Sequence, residues 1–261
     1  VKTVLGDRPI IQLTLSIDGK QVDWENPDSP VTVTIPYEPT EEELKNPDSI
    51  VVWYIDGKGN VVTVPNGRYD PETGTVTFRT THFSLYSVAY VQKTFKDLGD
   101  TEWARKSIEA LAAKEIMKTE GDTFKPTEYI TRADFLYALV RALDLNAKVG
   151  SNFDDISADA YYYKEIAIAK ELGITLGTGN NKFEPDLNIA RQDMMTLVGR
   201  ALELLGKLEL NAPDTVLDKY TDKSEIAAYA VSSVSTLVNE ELIVGNNNKI
   251  MPRGTTSRAE A

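Results

Sequence analysis

The chain has 261 residues, of which 41% are hydrophobic and 26% charged, a composition that folds and has length for one large core or two small ones. Its 28 Lys and Arg stand against 40 Asp and Glu, a net charge of −12, so a nucleic acid, whose binding needs a basic face to displace counterions, is not expected as a partner. There is no Cys and a single His, His82, which removes disulfides, thiolate sites and multi-His zinc sites and argues against a His-dependent triad.

No apolar run is long enough to span a membrane, and no leader is visible at the N-terminus. Val1 opens directly into strand-like sequence and Ala261 stops inside a helix-start signal, so we expect an internal piece of a longer chain. On that expectation the missing leader says nothing about export.

Residues 1–94 read as strands. Ile10 to Ile17 alternates apolar and polar, as do Val31 to Ile35 and Thr75 to Arg79, while Ile50 to Ile55 is continuously apolar and Phe83 to Val91 closes the series. Asp18-Gly19, Asp56 to Asn60 and Pro65-Asn66-Gly67 supply turns, and Thr40 to Leu44 suits one helical turn. The region is expected to be a small antiparallel β-sandwich with Trp24 and Trp53 in its core. Residues 95–261 read as helices. One stripe is Ile108, Leu111, Ala112 and Ile116, another Phe135, Leu136, Leu139, Val140 and Leu143, and a third runs from Met194 to Leu205. The fold class is therefore α+β in two domains.

The helical part repeats itself. Phe124, Pro126, Arg132 and Asp134 recur as Phe183, Pro185, Arg191 and Asp193, and again as Ile250, Pro252, Arg258 and Glu260, at offsets 0, 2, 8 and 10. Phe95-x-Asp97, Phe153-x-Asp155 and Tyr220-x-Asp222 open the three repeats, about 30 residues upstream. The boundaries are 95–150, 151–206 and 207–261, the third containing a Pro-bearing connector and a truncated second helix. Thr131 with Asp134, and Ser257 with Glu260, have the spacing of a capping box. Each Arg then falls in the first turn of a helix, where the dipole favours an anion rather than a cation. A guanidinium there either grips an external carboxylate through its fork or pairs with an acid of its own or the next repeat. Spacing leaves both readings open.

These motifs resemble the S-layer homology (SLH) domain, in three tandem copies over residues 95–261. The resemblance implies a pseudo-threefold helical bundle preceded by the β-sandwich. It further implies non-covalent anchoring of an exported protein to a Gram-positive cell wall, through grooves that bind a secondary cell-wall polysaccharide bearing a pyruvylated amino sugar. On this resemblance Arg132, Arg191 and Arg258 grip the ketal carboxylate. Asp97, Asp155 and Asp222 accept sugar hydroxyls or brace the groove, and Trp103, Tyr161 and Tyr229 pack on the sugar ring. Gly177 and Gly245 allow close approach. Thr119 stands where the first repeat should have that glycine, and Ala190 replaces the capping Thr in the second, so the grooves are not expected to be equivalent. The β region is similar to small β domains that precede SLH repeats, through Asn66-Gly67-Arg68-Tyr69-Asp70 and Thr81-His82-Phe83-Ser84.

Two further readings are carried. One is a surface-lattice module whose copies contact each other. The other is self-cleavage: His82-Phe83-Ser84 resembles the His-apolar-Ser signature of self-cleaving β domains, with Ser84 as nucleophile on the Phe83–Ser84 bond and His82 as base. Apart from that, the protein is expected to be non-catalytic, extracellular and free of metal and cofactor, with no nucleic-acid partner.

Overall fold

The computed structural model describes residues 9–26 and 29–261; Val1, where the strand-like sequence begins, lies outside the described residues. The chain is α+β and separates into two compact units. One comprises 1–124 with 140–148, the other 125–139 with 149–261. The first repeat is therefore divided between them, although composition changes near residue 94.

In the first unit, one antiparallel sheet has the order β1-β9-β5-β6 (Ile11–Gln12, Leu85–Tyr90, Ile50–Ile55, Val61–Val64). A second has the order β4-β8-β7 (Val31–Pro36, Thr75–Thr80, Arg68–Asp70). Ile35, Val76 and Phe78 from the second sheet and Ile50, Val52, Val64, Tyr86 and Val88 from the first form one core. The alternation of β4 and β8 follows from having one face in that core. The continuous apolar run of β5 has a different cause. Its other face carries Val51, which packs with Ala89 of β9 and with Ala113 of helix α1 (Arg105–Ala113), so β5 is buried on both sides. Trp53 packs against this second cluster.

The expected strand from Ile10 to Ile17 is broken. Ile11–Gln12 joins β9, whereas Leu15–Ile17 (β2) pairs with Lys20–Val22 (β3) in a separate ribbon. Asp18 and Gly19 take φ of 52° and 76°, the left-handed pair that a two-residue hairpin requires, and this turn recruits Leu15–Ile17 to the ribbon.

In the second unit, α2 (Arg132–Ala142, which begins here), α3 (Tyr163–Glu171), α4 (Arg191–Leu204) and α5 (Val231–Asn239) carry the apolar stripes inward. The ends of α3 and α5 and that of α1 in the first unit share one stop: a left-handed residue (Glu115, Gly173 or Glu241) lets the next amide reach back five residues. The three repeats meet through a closed ring of backbone bonds. Ile130 N–H donates to Thr256 O, Ile189 N–H to Ile130 O, and Thr256 N–H to Ile189 O, at 3.0, 3.0 and 3.2 Å. All three residues are buried. Among the described residues no helix is long and apolar enough to cross a membrane.

Candidate functional site

The first turns of the Arg-bearing helices are docked on the loops of neighbouring repeats. Arg132 and Ala133 N–H donate to Leu187 O and Pro185 O; Arg191 and Gln192 to Gly254 O and Pro252 O; Arg258 and Ala259 to Glu128 O and Pro126 O. The amides expected to attract an anion are thus occupied by carbonyls of the neighbouring repeat, so these helix starts do not offer open N–H groups at those positions. Capping follows the sequence at Thr131 and Ala190, and only in part at Ser257, whose hydroxyl and amide both donate to the Glu260 carboxylate. Asp134 N–H donates to Thr131 Oγ1 at 3.0 Å, Ala190 gives α4 no side-chain cap, and Ser257 shares its hydrogen bonds with Glu260 in a single terminal turn.

The opening aspartates brace the Phe-x-Pro loops. Asp97 accepts from Phe124 N–H, Asp155 from the amides of Phe183 and Glu184, and Asp222 from those of Ile250 and Met251, at 2.8–3.2 Å. The residue after Phe124, Phe183 and Ile250 (Lys125, Glu184, Met251) is left-handed, φ 55–60°, and the carboxylates of Asp155 and Asp222 hold the amide of that strained residue. Backbone bonds to Phe183 and Glu184 keep the Asp155 carboxyl below its usual range despite its burial. Of the two roles expected for these aspartates, bracing is the one this geometry serves.

Arg132 is the best placed of the three arginines. Its Nε donates to Phe183 O at 3.0 Å, its Nη1 meets Asp193 Oδ2 at 3.2 Å, and its guanidinium lies 4.9 Å over the Phe183 ring. It also lines a cleft of about 360 Å³ together with Leu176, Gly177, Asp193, Arg200 and Tyr229. Of the two readings left open by the spacing, the internal pair with the next repeat's acid is formed here, by a guanidinium that also lines the cleft. Tyr229 donates its hydroxyl to Asp193 Oδ1 at 2.5 Å. Burial, and then this bond to Asp193, push its phenol up to about 12, so it stays protonated in ordinary conditions. Two arginines against one carboxylate leave the cleft a net positive charge, and Leu176, 73% exposed, gives it an apolar lip.

Arg191 repeats half of this: Nε to Ile250 O at 3.1 Å, and Nη1 3.7 Å from Glu260. Tyr161 repeats Tyr229, donating to Asp134 and lying edge-on to Tyr137. Trp103 is 70% exposed and has no hydroxyl for such a bond. Arg258 starts the terminal turn. Gly177 and Gly245 are packing glycines. A Cβ would lie 2.3 Å from Lys182 O and 2.4 Å from Lys249 O, and against the rings of Phe153 and Tyr220. Arg200, Leu176 and the pairing role of Asp193 escape the sequence reading. Arg200 was accessible through the repeat, because Arg141 and Arg200 both follow the signature arginine by nine residues, and each donates to a carbonyl just beyond a first helix, Glu115 O or Ile174 O.

In the β region, the Ser84 hydroxyl donates to Ile55 O at 2.7 Å, and the His82 ring lies edge-on to Tyr54 at 4.8 Å.

Residues 94–136, 152–195 and 219–261 each match the S-layer homology domain. The chain belongs to the S-layer homology family. An amylopullulanase of Thermoanaerobacterium thermosulfurigenes is 32% identical over 237 residues, 88% of this chain and 12% of that protein. The S-layer protein sap of Bacillus anthracis is 29% identical over 72% of this chain and 23% of its own length. The surface-layer 125 kDa protein of Lysinibacillus sphaericus is 28% identical over 55% and 12%. The chain thus spans less than a quarter of each of these relatives. The SLH family and its S-layer members place the chain at the cell surface.

Proposed function

We propose that the chain anchors a larger exported protein to a Gram-positive-type cell wall by binding the pyruvylated amino sugar of a secondary wall polysaccharide. The three repeats would act as a pseudo-threefold bundle, with the β-sandwich as a second domain. The observation that carries this reading is the Arg132 cleft. A guanidinium already oriented by Phe183 O and Asp193, a second arginine, a neutral phenol and an apolar lip suit a carboxylate carried on a sugar ring. The carboxylate would take Arg132 Nη2, and the sugar ring would lie along Tyr229 and Leu176.

Co-sedimentation with purified wall polysaccharide tests it. Arg132→Ala is expected to weaken binding ten- to a hundredfold, the value of a lost charge-assisted hydrogen bond of about 1.5–3 kcal/mol. Because Arg132 also braces the next repeat, Leu176→Glu serves as a variant that spares the fold. It adds a like charge at the exposed lip and is expected to weaken binding at least tenfold. Unchanged binding in both would overturn the assignment of this cleft.

A further inference from the structure

A second cleft, of about 640 Å³, lies wholly within the first unit and has the opposite chemistry. Trp24, Tyr54 and Phe83 form its aromatic walls, Asp23, Glu25 and Asp56 its carboxylates, and it contains no Lys or Arg. Its walls are held in place. Trp24 packs against Phe83 with ring centroids 4.8 Å apart, and Phe83 N–H donates to Trp24 O at 3.2 Å, so the two chain segments bearing them are tied by backbone as well as ring contact. Asp56 is fixed by accepting the amides of Lys58 and Asn60 at 2.9 and 2.8 Å. The rings are half-buried, whereas Asp23 and Glu25 are exposed at the rim.

Flat aromatic walls accept the apolar C–H face of a sugar ring, and their negative π faces also attract a cation. Carboxylates beside such walls accept hydroxyls and, more strongly, an ammonium group. A carboxylated sugar is disfavoured here, since three acids face it with no arginine or lysine among the lining residues. The volume is that of an ordinary small-ligand site. We propose that this cleft binds an amino sugar whose amine is free and protonated, and that it rejects the N-acetylated form, which has lost the charge. This assignment does not depend on the Arg132 cleft.

The test is isothermal titration of the whole chain with a short glucosamine oligosaccharide, in parallel with the N-acetylated oligosaccharide of equal length, below the pKa of the amine. Saturable one-to-one binding of the free amine, at least tenfold tighter than the acetylated form, is expected. Trp24→Ala should remove it. If that variant loses its folded near-ultraviolet signal, Asp23→Asn with Glu25→Gln replaces two exposed acids and should weaken binding at least tenfold with the aromatic walls intact. Arg132→Ala should leave it unchanged. Absence of binding, equal affinity for both sugars, or binding that survives removal of the rim acids would overturn the proposal.

Discussion

Thr256 occupies the place in the ring of backbone bonds that Ile130 and Ile189 hold in the other repeats. It is fully buried, and its Oγ1 has no acceptor or donor among the described residues. A buried hydroxyl without a partner costs about 1–3 kcal/mol. Thr256→Val keeps the shape and removes that group, so chemical denaturation should show a gain of about 1 kcal/mol; a loss of stability would mean that the hydroxyl has a partner after all. Gly177 makes the opposite case. Its φ of +71° and the 2.3 Å that would separate an added Cβ from Lys182 O leave no space for a methyl group. Gly177→Ala is expected to cost roughly 2–4 kcal/mol from overpacking and left-handed strain together. A cost below 1 kcal/mol in the same assay would show that the Lys182 loop gives way.

At the scale of the element, helix α1 is where a chemical liability meets a packing advantage. Lys114, at its C-terminal end, is only 5% exposed, and burial, with the nearby Arg68 adding to it against Asp48, brings its amine down to about 8. Between that value and the ordinary 10.5 the unfolded chain binds the extra proton, so stability rises as pH increases through this window and the charged form is disfavoured below it. Replacing Lys114 by Met should therefore raise the melting temperature at pH 7, with a gain of up to about 3 kcal/mol, and shrink the difference from the parent as pH approaches 10. A difference that stays constant with pH would contradict the burial of the charge. Element types were largely legible in the sequence. Alternation marked β4 and β8 because one face of each is in the core, and repeat offsets marked the helix starts at Arg132 and Arg191 and the terminal turn at Arg258. What was not legible depended on partners distant along the chain. The run Ile50–Ile55 does not say that α1 covers its second face, and the Ile10–Ile17 alternation does not say that Ile11–Gln12 pairs instead with β9. Likewise the repeated Arg pointed to a charged partner, but only the fold shows that Arg132 has Asp193 and a cleft at once.

For the whole molecule, a net charge of −12 opposes approach to an acidic polymer. Recognition of such a polymer must come from local fields, and the Arg132 cleft supplies one. Its positive charge is set in partly buried surroundings, where ion pairing is screened less than at an exposed surface. The second cleft, in the β-bearing unit, is lined by acids where the first has arginines, so the two differ in sign. The central claim is that a carboxylate on the wall polymer is what the protein holds. The most direct measurement is the affinity of the unmodified chain for purified wall polysaccharide before and after removal of its pyruvyl groups, at fixed salt. The account predicts a loss of at least tenfold on removal; equal affinity for the two polymers would contradict it.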